Sequence, residues 1–276
     1  MDFATTEELL NGGRALPSGV IGVLLCDGSD SADLSAAHLA SLGVSAIVSV
    51  GASGPLQTVP VPLLRVAEAP GRFGATTALN RVIDAFDGQW LLWLWAGEYF
   101  FYPYVETRSI GDFTAFLNDE RRHVAFTYAL DLYGPELPEV GHDPRAAELY
   151  FDRSGYYGFN SEQRELSLYG GLVWRFGELS AFREQQLGRP SLFRARAGIY
   201  PGRNGRFAVP DLNSVSCPWH NSPTAAVMTL RHARQIMATE GFALRSENLI
   251  WQGSERFTWT SEQLLDLGMI EPGQWF

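Results

Sequence analysis

The segment Gln89–Pro103, QWLLWLWAGEYFFYP, constrains this chain more than any other. Apolar side chains fill it almost without a break, so no face of the element it forms is left for water. The longest apolar stretch, Trp90–Val105, contains Glu98 and Pro103. It falls short of the roughly 20 residues that a membrane helix needs. The segment predicts a strand over 90–95 buried on both faces, as in a parallel sheet covered by helices. Glu98 then follows the strand's carboxyl end, where open α/β sheets bind their ligands. A buried carboxylate costs several kcal/mol unless it is paired. The simplest reading of Glu98 is therefore a partner of an arginine or of backbone N–H groups.

The neighbouring pattern agrees with such a sheet. GVIGVLL (19–25) reads as a buried strand ending in the turn cluster Cys-Asp-Gly-Ser-Asp. SADLSAAHLASLG reads as a helix that Ser31 caps and Gly43 ends. VSAIVSV (44–50) and VPLLRV (61–66) read as strands, and Ala78, Leu79, Val82, Ile83 and Phe86 fall at helical spacing. The order predicts an α/β fold with a Rossmann-like, mostly parallel central sheet flanked by helices. Further on, 110–119 reads as a helix capped by Asp112, and 123–133 as a strand. Residues 134–224 have weak periodicity and predict an irregular region. TAAVMTLRHARQIMATEG (224–241) predicts a long helix with Val227, Leu230, Ala233, Ile236 and Met237 on its buried face. The tail, TSEQLLDLG, predicts a short helix. No repeat or linker divides the chain, so 1–276 is expected to be a single domain.

Composition narrows the classes of partner. The 276 residues are 46% hydrophobic, which suits a globular core. The formal net charge of −10 disfavours nucleic acid, which requires a basic face. All 21 basic residues are arginine, so a cationic contact to a ligand must come from Arg or His. Cys26 and Cys217 have no metal spacing and are expected as free thiols. The acidic start MDFATTEELL has no apolar signal region, and a cytoplasmic protein without a transmembrane segment is expected. No G-x-S-x-G elbow, P-loop or G-x-G-x-x-G fingerprint is present.

The run LNRVIDAFDGQWLLWLWAGEYFFYP resembles a segment of family 2-type glycosyltransferases with the GT-A fold. In that family a helix containing Asn and Arg leads to an apolar strand ending in an Asp-x-Asp-Glu-like motif followed by aromatics. Leu79-Asn80-Arg81 and Trp90–Leu94 match this pattern. The family's two aspartates fall at Trp95 and Gly97, and only the last acid is kept, as Glu98. In the front half, the strand–helix–Leu42-Gly43-Val44–strand arrangement is similar too. Ser53 stands where a serine closes the second strand's acidic turn, although Val50-Gly51-Ala52 lacks the acids. The resemblance covers roughly residues 19–135.

The resemblance implies a GT-A-like domain with a nucleotide-sugar-binding half (19–135) and an acceptor-side half (136–276). It implies a nucleotide-sugar donor, an acceptor that is a glycan, lipid or small molecule, and Mn²⁺ or Mg²⁺ on the donor diphosphate. Glu98 would be the metal ligand, with Asp27 or Asp30 brought near by folding, and with His220 or His232 as further candidates. One glutamate is a poor site for a hard cation. Arginines are the alternative, since guanidinium groups bind phosphate through charge-assisted bidentate bonds. Arg72 and the loop arginines Arg194 and Arg203 are the donor-site candidates, beside Asp27, Ser53 and Glu98. The catalytic base of an inverting transfer would be Asp152 or Glu148, with Asp143 a third choice. Aromatic neighbours of Asp152, such as Tyr156 and Tyr157, suit a sugar-stacking platform. The competing expectation is an inactive GT-A relative that binds a sugar, a nucleotide or a protein.

Overall fold

The computed structural model describes residues 1–11, 18–52, 56, 59–69, 77–160, 166–178, 187–202, 205–209, 212–213, 222–245 and 248–275. In chain order the first half contains β1 (Asp2–Phe3), α1 (Thr6–Asn11), β2 (Val20–Leu25), α2 (Ala32–Ser41), β3 (Ala46–Val50) and β4 (Leu63–Val66). It continues with α3 (Thr77–Ala85), β5 (Trp90–Trp95), β6 (Glu98–Phe101), α4 (Ile110–Asp119) and β7 (Phe126–Asp131). Next come β8 (Tyr150–Asp152), β9 (Tyr157–Asn160), β10 (Leu166–Tyr169), α5 (Gly171–Arg175) and β11 (Leu192–Arg194). Then follow β12 (Thr224–Thr229), α6 (Arg231–Met237), α7 (Glu240–Arg245), β13 (Ser254–Arg256) and α8 (Ser261–Asp266).

The fold is mixed α/β. Its larger sheet has the order β1-β4-β3-β2-β5-β11. All neighbours run parallel except β11, which is antiparallel to β5. Every residue of β2, β3 and β5 is buried, as the apolar runs require. Along β5, Leu91, Trp93 and Trp95 face the layer with Leu79, Val82 and Ile83 of α3. Trp90, Leu92 and Leu94 face the opposite layer, with Leu39 of α2 and Phe113 and Leu117 of α4. Helices thus cover both faces. The chain steps from β2 outward to β4, then returns to place β5 on the other side of β2. That reversal makes the carboxyl ends of β2 and β5 the switch point, where such sheets form a crevice.

A smaller sheet, β6-β12-β7, continues from the first through the Ala96-Gly97 turn. β12 pairs parallel with β7 and antiparallel with β6, and Thr229 stands opposite both Glu98 and Asp131. This corrects the single long helix expected over 224–241. TAAVMT is a central strand with all six residues buried, RHARQIM forms α6, and Glu240 begins the separate α7. A strand buried on both faces is apolar at every spacing, so it imitates the buried stripe of a helix. One of two expected caps differs in detail. Ser31 caps α2 as expected, through the Leu34 N–H at 3.4 Å. Ser109, not Asp112, caps α4, and Asp112 returns the bond to the Ser109 N–H at 2.9 Å in a capping box. No helix among the described residues is long and apolar enough to cross a membrane.

Candidate functional site

The switch-point crevice gathers acids from the sheet and arginines from distant parts of the chain. Asp27 follows β2 and is exposed, Asp30 lies in the same loop, and Glu98 opens β6. Pairing of Thr229 with Glu98 delivers the first turn of α6 to this edge. Arg231 Nη2 then meets Asp27 Oδ2 at 2.8 Å, and Arg231 Nη1 donates to Ser29 Oγ at 2.9 Å. The same guanidinium lies 4.5 Å from the Trp95 ring centroid. Arg234, one turn on, meets Asp30 Oδ2 through Nε at 2.8 Å. The third arginine, Arg189, is in the segment before β11. It grips Glu98 with two bonds, Nη1 to Oε1 at 2.9 Å and Nη2 to Oε2 at 2.7 Å. Glu98 Oε2 also accepts from the Trp95 N–H at 2.8 Å.

Each acid is therefore matched by a guanidinium. Burial pushes the Glu98 carboxyl up, but the charge and hydrogen bonds of Arg189 outweigh it and hold the group below its usual range. For Asp27, partial burial is likewise outweighed by the bonds from Arg231 and Ser29, which hold its pKa at about 2. Gly97 completes the edge. Its φ is +83°, and a Cβ there would lie 2.4 Å from Asp30 Oδ2.

These residues do not fit a divalent cation. Both Glu98 oxygens are occupied by a buried arginine, and Asp27 and Asp30 are each neutralised in the same way. Among the described residues no group of three or more His, Cys, Asp or Glu is arranged to hold a metal ion. His232, a further candidate ligand, is buried, and its Nδ1 meets Asp131 Oδ1 at 2.5 Å. Asp131 also accepts from the Leu172 N–H at 2.8 Å. α6 is thus pinned by three acids from two places: Asp27 and Asp30 in the loop after β2, and Asp131 at the end of β7.

The remaining candidates are scattered. Asp152 is buried and accepts from Tyr133 Oη, from Trp251 Nε1 at 2.6 Å and from Arg175 Nη1 at 3.0 Å. Burial dominates there and raises its pKa despite these donors. Glu148 is exposed and accepts from Tyr150 Oη at 2.6 Å. Asp143 caps a short 3₁₀ turn through the Arg145 N–H. Arg194 lies at the opposite edge of the sheet from the crevice. β11 runs antiparallel to β5, so Arg194 pairs with Trp90 and donates to Gly88 O at 2.8 Å. Ser53, Arg72, Arg203, His220 and Cys217 lie outside the described residues. Cys26 is a buried free thiol, and burial pushes its pKa up to about 11. Arg189, Arg231 and Arg234 were missed in the sequence. The i, i+3 spacing of Arg231 and Arg234 in RHARQ was the available signal, since it puts both on one helical face. No protein-family model and no curated protein matches the chain.

Proposed function

We propose that this chain is a glycosyltransferase-like protein that binds a nucleotide sugar in the crevice beyond β2 and β5 without a divalent cation. The observation that carries this reading is the pair of arginines on α6 at the switch point. A guanidinium has five N–H donors. Arg231 directs bonds from Nη1 and Nη2 to Asp27 and Ser29, and Arg234 directs Nε and Nη2 to Asp30, so each keeps donors for a diphosphate. Arg231 is held in place by Trp95, so little side-chain order is lost on binding.

Binding has firmer support than transfer. Asp152 has its carboxylate engaged by three donors, and Glu148 is an exposed partner of Tyr150. The closed Glu98–Arg189 pair stands where the resemblance puts the family's last motif acid. This favours the reading in which the frame is kept for recognition and the transfer chemistry is lost.

Thermal unfolding with uridine and guanosine diphosphates and their sugar conjugates tests the proposal, in EDTA and in Mn²⁺. A ligand at a hundredfold excess over its Kd adds about 2.7 kcal/mol to stability. The expected result is a higher Tm with at least one nucleotide, equal in EDTA and Mn²⁺, and lost in Arg231→Ala. No shift with any nucleotide overturns the donor site, and a shift seen only with Mn²⁺ overturns its metal independence. Release of free nucleoside diphosphate from a nucleotide sugar would restore the transferase reading.

A further inference from the structure

The charges at the crevice balance one for one: Arg231, Arg234 and Arg189 face Asp27, Asp30 and Glu98. A diphosphate brings further negative charge, so it must share a guanidinium with an acid or displace one. The three acids are not equally able to give way. The Asp27 side chain is 31% exposed, against 6% for Asp30 and 3% for Glu98. A partly exposed pair contributes little to stability, whereas parting a buried one strands a charge. Asp27 is therefore the acid that can leave without disturbing the fold.

Its geometry is that of a stand-in for phosphate. Arg231 turns both terminal nitrogens to it, Nη2 to Oδ2 at 2.8 Å and Nη1 to Oδ1 at 3.3 Å. That is the fork with which a guanidinium takes a carboxylate or a phosphate. Asp27, Gly28 and Ser29 form an exposed turn. On one side of it the Cys26 N–H is bonded to Val50 O at 2.8 Å, and on the other Asp30 is held by Arg234. Gly28 has a φ of +80°, and a Cβ there would meet nothing within 4 Å among the described residues. The turn thus borders open space into which it can swing. The Arg231 guanidinium keeps its seat 4.5 Å from the Trp95 ring centroid when the acid moves.

We propose that Asp27 is an autoinhibitory gate, whose carboxylate occupies the phosphate-binding fork of Arg231 and gives it up to an entering diphosphate. The proposal rests on the nucleotide reading of the crevice and adds the contact that sets its affinity. Partial burial of Asp27 is outweighed by the bonds from Arg231 and Ser29, which hold its pKa at about 2. At neutral pH the gate therefore opens by exchange and not by protonation.

Calorimetric titration of the whole protein with uridine and guanosine diphosphates, in EDTA, tests the gate. Asp27→Asn keeps an oxygen acceptor for Ser29 and removes the charge. Asp27→Ser takes its place should that variant not fold. Asp119→Asn controls for net charge. Asp119 is exposed at the end of α4, next to Asn118, which accepts from Trp90 Nε1 at the end of β5 away from the crevice. Asp27→Asn is expected to bind at least one diphosphate about tenfold more tightly, the low end for a charge-assisted hydrogen bond. Asp119→Asn is expected to bind as the unaltered protein does, and the gain is expected to vanish on an Arg231→Ala background. Equal or weaker binding by Asp27→Asn overturns the gate and leaves the nucleotide reading standing. So does an equal gain in Asp119→Asn, or a gain that survives without Arg231. Binding of neither diphosphate to any of these proteins overturns the nucleotide reading and the gate with it.

Discussion

At the scale of the residue, Glu98 decides how the crevice is read. The residue is 2% exposed, and the Arg189 guanidinium sits 4.3 Å from the Trp93 ring centroid while holding its carboxylate. A buried pair of this kind need not stabilise the fold relative to apolar residues, but breaking it strands a charge. Glu98→Gln, which preserves shape and the bond from the Trp95 N–H, is expected to cost about 3–5 kcal/mol. Glu98→Gln combined with Arg189→Met is expected to recover most of that loss, since no charge is left uncompensated. Urea unfolding of the two variants measures the difference. Equal losses in both would show that packing, not charge, governs the position.

At the scale of the element, His38 couples α2 to the smaller sheet. It is buried, and its Nε2 accepts from the Phe100 N–H at 2.8 Å. Burial is the main cause that lowers its pKa from 6.5 to about 4. The folded protein then binds fewer protons than the unfolded chain between these values, so stability rises with pH there. Stability from this group is complete above pH 6.5 and is lost as pH falls toward 4, on the order of 3 kcal/mol in total. Unfolding free energy measured from pH 7 to 4 is expected to fall, and the fall is expected to shrink in His38→Gln. An unchanged slope in that variant would remove His38 as its source.

The same scale shows which elements were legible. β2, β3 and β5 could be read from runs such as VLL and WLLWLW, because a doubly covered strand has no polar face. α2 could be read from its spacing and its Ser31 cap, and α4 could be placed at 110–119 although its cap is Ser109 and not Asp112. β12 could not, since TAAVMT presents the same apolar density to either template. For the crevice, Asp27, Asp30 and Glu98 were locatable as acids at strand ends. Their partners were not, because Arg231 lies 204 residues from Asp27 and Arg189 lies 91 from Glu98. Such contacts come from the sheet's return path, which local pattern does not encode.

At the scale of the molecule, the two sheets share one interior. Leu92 and Leu94 of β5, Phe100 of β6 and Val227 of β12 belong to a single cluster, together with α2 and α4. Separate unfolding of either sheet would expose that cluster. Urea curves followed by far-ultraviolet circular dichroism and by tryptophan fluorescence are therefore expected to coincide. Two distinct midpoints would show that the sheets unfold independently.

The seat of Gly97 limits which substitutions this edge accepts. The backbone there has a φ that favours glycine, and Asp30 occupies the space of a Cβ. Placing any side chain here would require Asp30 to move and Arg234 to release it. One substitution cannot do so without a clash or an unpaired buried charge. An acid at this turn is therefore excluded by its neighbours, and change at the arginine-lined edge is confined to residues that leave the Asp30–Arg234 pair closed.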